Sequence, residues 1–183
     1  MNKHKPLPCK RRMPSNALPI QLPMSVRQTK TFIPDPNSKI PKIRLTGFST
    51  FRGCEALYFA MGKSRYGIKV YRTESLAKKS YKRQKIASRL GLAPKVGNFY
   101  CIETTEQEFG QRKPYYGFET QKARQVTLRS PVWQRDNQKL YDELRKIYLH
   151  GDFCEHNCGV INNKLVAIDF GSHCDVLRRR YRR

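Results

Sequence analysis

Asp152, Asn157 and Asp169 are three of the oxygen-bearing side chains in the segment HGDFCEHNCGVINNKLVAIDFG, which covers residues 150–171. Asn157 follows Asp152 by five residues, and Asp169 follows Asp152 by seventeen. Carboxylate and amide oxygens are ligands that Mg²⁺ prefers, and a positioned carboxylate can take a proton from a reacting hydroxyl. The spacing therefore predicts a site for phosphoryl transfer, with Asp152 as the base and Asn157 and Asp169 as metal ligands.

The run between the two aspartates predicts a β-hairpin. Two short apolar stretches, CGVI and KLVAID, flank Asn162 and Asn163. Asparagine tolerates the left-handed backbone conformations of a tight turn. We therefore expect the hairpin to return the chain so that Asp169 faces the same cavity as Asn157.

Five stretches rich in β-branched and aromatic residues predict strands upstream of this site. They are KIRLTGFST, EALYFAMG, RYGIKVYRT, KVGNFYCIE and YYGFET, with a turn at Arg52-Gly53 between the first two. The third strand places Ile68 and Val70 on one face and Lys69 on the other. Lys69 can therefore supply the cation that phosphoryl transfer needs on the phosphates.

Two segments predict helices. TESLAKKSYKRQKIASRLG has Thr73 as an N-cap and Gly91 as a stop, and DNQKLYDELRKIYL has Asp136 as a cap. The expected apolar stripes are Leu76, Ile86 and Leu90 in the first helix and Leu140, Leu144 and Ile147 in the second.

In this order, the motifs resemble those of the protein-kinase-like superfamily, including its aminoglycoside- and small-molecule-phosphotransferase relatives. YGIKV resembles the strand lysine motif, HGDFCEHN resembles the catalytic loop, and DFG matches at residues 169–171. The resemblance covers roughly residues 39–175. It implies ATP and Mg²⁺ as cofactors, contact of Lys69 with the phosphates, Asp152 as base, and Asn157 and Asp169 as metal ligands.

The nucleotide would also contact two backbone segments if the resemblance holds. TGFSTFRGCEAL keeps Gly47 and Gly53 of a glycine-rich phosphate loop but lacks the central glycine. YYGFET resembles the strand that runs into the hinge, which implies that Glu119 and Thr120 lie beside the adenine, with Glu119 acting through its backbone.

The sequence departs from typical protein kinases in the first helix and after DFG. The glutamate that should pair with Lys69 falls near Arg83 or Gln84, and Glu74 is the only acid in that helix. Gly151 replaces an arginine, and the sequence ends twelve residues after Gly171. We therefore expect Gln84 or Glu74 as the partner of Lys69, if it has one, and no phosphorylated activation segment or peptide platform.

The predicted fold class is α+β, a protein-kinase-like fold. We expect an antiparallel five-stranded N-lobe with one helix, and a strongly reduced C-lobe of a helix, the catalytic loop and a β-hairpin. Eight of the eleven prolines fall at or before Pro41. The expected divisions are a basic, disordered or loosely docked tail at 1–38, an N-lobe at 39–119, a reduced C-lobe at 120–175 and a basic tail at 176–183.

The charge of the chain predicts its partners. Lys and Arg number 37 against 14 Asp and Glu, which gives a net charge of +23. We expect an acidic protein substrate or nucleic acid to be bound through the basic tails, including RRRYRR at 178–183. No apolar run approaches the roughly 20 residues of a membrane span, and the six cysteines have no even spacing. These features predict a soluble cytoplasmic protein with reduced thiols and leave its oligomeric state open.

The favoured interpretation is a minimal serine/threonine protein kinase, and two alternatives remain open. HGD and the missing peptide platform also fit a small-molecule kinase. The weak glycine loop and missing helix glutamate fit a degenerate kinase fold that serves as a basic nucleic-acid or protein-binding module. A zinc site is disfavoured because its candidate ligands lack paired spacing. Those candidates are His150, Cys154, His156, Cys158, His173 and Cys174.

Overall fold

A computed structural model describes residues 29–46, 49–52, 56–60, 63–104, 115–151 and 153–171. The strands in these residues are β1 (Thr29–Ile33), β2 (Lys42–Thr46), β3 (Ser49–Arg52), β4 (Ala56–Ala60), β5 (Tyr66–Tyr71), β6 (Val96–Thr104), β7 (Tyr115–Gln121), β8 (Arg124–Gln125), β9 (Cys158–Ile161) and β10 (Lys164–Ala167). The α-helices are α1 (Glu74–Arg89) and α2 (Pro131–Lys146), and a 3-10 turn covers Glu155–Asn157. The chain is therefore α+β. Neither described helix has the length and apolar character needed to cross a membrane.

Seven of the described strands form one mixed sheet in the order β1-β2-β6-β7-β5-β4-β3. The five neighbours from β6 to β3 are all antiparallel, but β2 runs parallel to β6. The predicted five-stranded antiparallel sheet was therefore incomplete. The stretch KIRLTGFST, predicted as one strand, forms both β2 and β3, which lie at opposite sides of the antiparallel set.

Strand β1 lies inside the segment that was predicted to be a disordered or loosely docked tail. It pairs antiparallel with β2, with Phe32 opposite Ile43. The sequence TKTFI consists largely of β-branched and aromatic residues, which favour strands, and Pro34 follows its end. Residues 29–33 thus belong to the sheet, and the high proline content around them obscured a short strand signal.

One face of the sheet curls around a core of its own. The core residues are Ile43, Leu45, Leu57, Phe59, Ile68, Val70, Tyr100, Ile102 and Tyr115. Residues from β2 and β4 share this cluster although three strands separate them in the sheet order. The sheet must therefore curl, because a flat sheet would hold β2 and β4 well apart.

Helix α1 begins and ends where its sequence predicts. The Thr73 side chain accepts a hydrogen bond from the backbone N–H of Leu76 at 3.3 Å. Gly91 takes a left-handed φ of 67°, and the N–H of Leu92 returns to the carbonyl of Ala87 at 2.9 Å. These are the N-cap and the glycine C-terminal motif that satisfy free backbone groups at helix ends.

The face that α1 buries differs from the prediction. Ile86 and Leu90 are 50% and 56% exposed, and Leu76 is only partly buried. The buried residues of the helix are Ala77, Ser80, Gln84 and Ala87. They recur at intervals of three and four, so they form one face, and their mostly small side chains let the helix lie close to the sheet.

Helix α2 begins five residues before its predicted cap at Asp136. Ser130 is the N-cap residue, and Pro131 occupies the first turn. Proline suits this position because its missing N–H would have no intrahelical partner there. The predicted core residues Leu140 and Leu144 are buried.

A smaller sheet packs against α2 and contains the predicted hairpin. Its order is β10-β9-β8, and all of its strands are antiparallel to their neighbours. Asn162 and Asn163 form the hairpin turn with φ values of 49° and 59°, as predicted. A second core joins this sheet to α2, to the end of α1 and to Phe170, which is fully buried. Through Phe170, the segment that carries Asp169 therefore packs against the smaller sheet, against α2 and against the end of α1.

Candidate functional site

The hairpin sets Asn157 beside the segment that carries Asp169. Cys158 lies opposite Ala167 in the β9–β10 register, so the next pair outward is Asn157 and Ile168. The backbone N–H of Ile168 donates to the carbonyl of Asn157 at 2.8 Å. Both predicted metal ligands therefore stand at the open end of one hairpin, and the Asp169 side chain there is exposed.

Lys69 reaches this point from the large sheet. Its Nζ donates a hydrogen bond to the backbone carbonyl of Ile168, 99 residues later in the chain. Burial lowers the pKa of Lys69, and the charge of nearby Asp169 opposes that shift. The predicted phosphate-binding cation and the two predicted metal ligands are thus brought together from opposite ends of the fold.

The strand register explains why Lys69 points this way. Lys69 lies directly opposite Phe118 of β7, and Ile68 lies opposite Glu119. Directly paired residues of antiparallel strands project to the same face. Phe118 packs with Ala77 of α1, so Lys69 lies on the face that the helix covers, and Ile68 lies on the face of the curled core.

Helix α1 contacts the Asp169 segment through an arginine for which the sequence predicts no role in the site. Arg83 donates from Nη1 to the carbonyl of Gly171 at 2.7 Å and to that of Phe170 at 3.4 Å. Lys69 binds the carbonyl of the residue before Asp169, and Arg83 binds those of the two residues after it. The only sequence signal was a cation at the helix position where the family resemblance implies a glutamate.

Gln84 is not the partner of Lys69. Its Nε2 donates to the carbonyl of Pro94 at 3.2 Å and to Thr120 Oγ1 at 2.6 Å. Its Oε1 is buried and has no hydrogen-bond partner among the described residues. Glu74, the other predicted partner, forms an ion pair with Lys78 one turn along the helix. Gln84 therefore fastens α1 to β7 instead of pairing with Lys69.

The Glu119 side chain forms its hydrogen bonds on the face of β7 opposite to α1. Its Oε1 accepts hydrogen bonds from Lys30 Nζ at 2.6 Å and from Tyr100 OH at 3.0 Å, and its Oε2 accepts the N–H of Asn98 at 3.3 Å. Burial favours the neutral acid, but these hydrogen bonds hold the pKa of Glu119 below its ordinary value. Strand β7 continues to Gln121, so Glu119 and Thr120 lie within a strand.

Two predicted parts of the site, the base and the glycine loop, lie outside the described residues. These are Asp152, Gly47 and Gly53. The neighbours of Asp152 are described and pack on α2. Phe153 stacks on Trp133 with ring centroids 5.6 Å apart, and His150 meets Tyr141 edge-on at 5.7 Å.

His150 has the character of a packed residue. Burial, with a smaller contribution from Arg145, lowers its pKa below 6.5, so the ring is neutral at pH 7.

One group of possible metal ligands occurs in the described residues outside this site. Ligand atoms of Cys154, Glu155 and His156 lie within 4.8 Å of one another. Glu155 already pairs with His156 at 2.8 Å. Burial raises the pKa of the Cys158 thiol, which disfavours the thiolate that zinc binds. His173 and Cys174 lie outside the described residues.

No protein-family model matches the chain, and no curated protein matches it significantly in sequence. Function must therefore be inferred from the arrangement of Lys69, Arg83, Asn157 and Asp169.

Proposed function

We propose that this protein is an ATP- and Mg²⁺-dependent phosphotransferase of protein-kinase-like fold, acting as a minimal serine/threonine protein kinase. The observation that carries the proposal is the contact between Lys69 Nζ and the carbonyl of Ile168. Ile168 also binds the backbone of Asn157, so three motifs that are distant in sequence meet at one point.

The residues at this point suit the chemistry. Asn157 and Asp169 offer the amide and carboxylate oxygens that would hold Mg²⁺, which neutralises phosphate charge when it is bound. Lys69 would add a positive charge on the phosphates. Asp152 would accept the proton of the acceptor hydroxyl. Most of the work in such a reaction is positioning, and the contacts of Lys69 and Asn157 with Ile168 support such a role for the described segments.

The architecture supports the same proposal. Five neighbouring antiparallel strands with one helix on their face precede a second helix and a hairpin. The kinase resemblance implies this order of elements. Strands β1 and β2 are additions at one side of the sheet, away from Lys69.

A specific observation favours a second candidate function, a kinase-like fold that binds without catalysing. Lys69 donates to a backbone carbonyl, and helix α1 presents Arg83 where the resemblance implies a glutamate. A chain that had lost catalysis could keep these contacts for stability alone.

Phosphate transfer separates the two candidates. The purified chain would be incubated with ATP labelled at the γ-phosphate and Mg²⁺, with an acidic Ser/Thr-rich protein in one sample and an aminoglycoside in another. We expect transfer to the protein, and Asp169→Asn should abolish it. Asp142→Asn is the matched control because Asp142 is an exposed acid on α2. Transfer to the aminoglycoside alone would indicate a small-molecule kinase. No transfer to either acceptor would refute the proposed activity.

A further inference from the structure

The two helices of the described fold differ sharply in charge. Both have 16 residues. Helix α1 carries six Lys and Arg and one acid, a net charge of +5, whereas α2 carries four Lys and Arg and three acids, a net charge of +1. A chain that was basic only for solubility would have no reason to concentrate its cations on one of two equal helices.

The cations of α1 form an exposed row. Lys78, Lys82, Lys85 and Arg89 are all exposed, and they follow one another at intervals of four, three and four residues. Such intervals place side chains on one face of a helix. At 1.5 Å per residue the row is about 16 Å long, with a cation roughly every 5 Å. Lys79 is also exposed and lies beside the row.

Little on the helix neutralises this row. The only acid in α1 is Glu74, which pairs with Lys78 at the beginning of the row. Lys78 and Lys82 line an open depression together with Glu74, Ser75 and Lys79, and both row residues are exposed. The row is thus available to an external polyanion.

The composition of the row favours nucleic acid over an acidic protein. Lysine is depleted in protein–protein interfaces, which have apolar centres, but lysine is a usual contact for phosphates. The exposed apolar residues Ile86 and Leu90 lie in the last turn of α1 and just after it, so they are near the C-terminal end of the row and not at its centre. A line of evenly spaced cations matches a phosphate backbone better than it matches a protein surface with an apolar centre.

We propose that the row formed by Lys78, Lys82, Lys85 and Arg89 binds the phosphate backbone of nucleic acid without sequence preference. The row contains none of the residues that are proposed to bind ATP. Nucleic-acid binding and phosphate transfer can therefore fail independently.

The test compares two variants that lose the same charge. In one, the four residues of the row are changed to Gln. In the other, four exposed cations of α2 are changed to Gln, namely Arg135, Lys139, Arg145 and Lys146. Both variants keep the basic segments 1–28 and 172–183, so any difference between them belongs to the helices. Binding of fluorescent single-stranded RNA and DNA of mixed sequence would be measured by anisotropy between 50 and 200 mM salt.

We expect the α1 variant to bind nucleic acid at least tenfold more weakly at 100 mM salt. The slope of the logarithm of its binding constant against the logarithm of the salt concentration should also become shallower by about two to three units, since each phosphate contact contributes roughly 0.7. The α2 variant should keep the slope of the unchanged chain. Changing the three lysines of the row to Arg should preserve binding, which guards against misfolding of the Gln variant. The proposal would be overturned if the α1 and α2 variants lost equal affinity for nucleic acid, or if the unchanged chain bound none. It would also be overturned if polyglutamate competed for the chain as well as nucleic acid does. Binding to both RNA and DNA is expected, because the phosphate backbone is common to them.

Discussion

Arg83 Nη1 lies 2.7 Å from the carbonyl oxygen of Gly171, and this hydrogen bond joins the middle of α1 to the end of the Asp169 segment. With the bond from Lys69 to Ile168, it fixes the backbone on both sides of Asp169. The position of the predicted metal ligand is therefore coupled to α1 through its backbone.

Changing Arg83 should weaken Mg-ATP binding without unfolding the chain. A hydrogen bond from a charged group contributes about 1.5–3 kcal/mol, so Arg83→Met should lower affinity by roughly ten- to a hundredfold. Arg83→Lys should recover much of the loss because an ammonium can donate to the same carbonyl. Calorimetric titration with Mg-ATP gives the affinities, and thermal melts check the fold. Unchanged Mg-ATP affinity in Arg83→Met would show that the contact of Arg83 with Gly171 does not position the site.

Metal removal should affect nucleotide binding through Asp169. If Asn157 and Asp169 hold Mg²⁺, the unchanged chain should bind ATP more tightly with Mg²⁺ than with EDTA. Asp169→Asn should remove this difference, because a neutral amide replaces the only carboxylate of the predicted ligand pair. Asp142→Asn should retain it. Equal ATP affinities in Mg²⁺ and EDTA for the unchanged chain would contradict the assignment of both ligands.

The predicted base can be separated from nucleotide binding. Asp152→Asn should leave the affinity for Mg-ATP nearly intact while phosphate transfer falls by about 10² to 10⁴, the usual contribution of a positioned acid or base. Single-turnover transfer measured beside equilibrium binding distinguishes the two effects. Transfer at the unchanged rate would mean that another group takes the acceptor proton or that none is needed.

The sequence predicted helix ends and the hairpin turn reliably where a single residue type specifies them. Thr73 and Gly91 mark the ends of α1, and Asn162-Asn163 marks the hairpin, because each depends on the residue's own backbone or capping preference. Pro131 was an equally local signal for the start of α2 that the prediction overlooked in favour of Asp136.

Contacts between residues that are distant along the chain could not be predicted from the sequence. Strand β2 pairs in parallel with β6, more than fifty residues later, and nothing in KIRLT specifies that neighbour. The burial of Ser80 and Gln84 in place of Ile86 depends on which face of α1 meets the sheet. The sequence does not specify Gly171 as the partner of Arg83, since every residue offers a backbone carbonyl.

The ion pair between Lys30 and Glu119 predicts how stability depends on pH. Lys30 of β1 reaches across the sheet to Glu119 of β7, with side chains only 16% and 20% exposed. Burial favours the neutral form of each group. The hydrogen bonds and charges around each group together outweigh burial, so the pKa of Glu119 is lowered from 4.5 and that of Lys30 is raised from 10.5. The carboxylate therefore contributes stability above pH 4.5, and this contribution is lost as pH falls through the lowered pKa.

Glu119→Gln should lower the free energy of unfolding by about 1–3 kcal/mol at pH 7, because it leaves a largely buried ammonium without its counter-charge. The difference from the unchanged chain should shrink as the pH falls below 4.5, where the native carboxylate also becomes protonated. Denaturant unfolding of both chains between pH 3 and pH 8 measures this difference in the free energy of unfolding. Glu103→Gln serves as control, since Glu103 pairs with Lys42 and Arg44 at a more exposed position and should cost less. A stability difference that stays constant down to pH 3 would show that the charge of Glu119 is not what anchors β1.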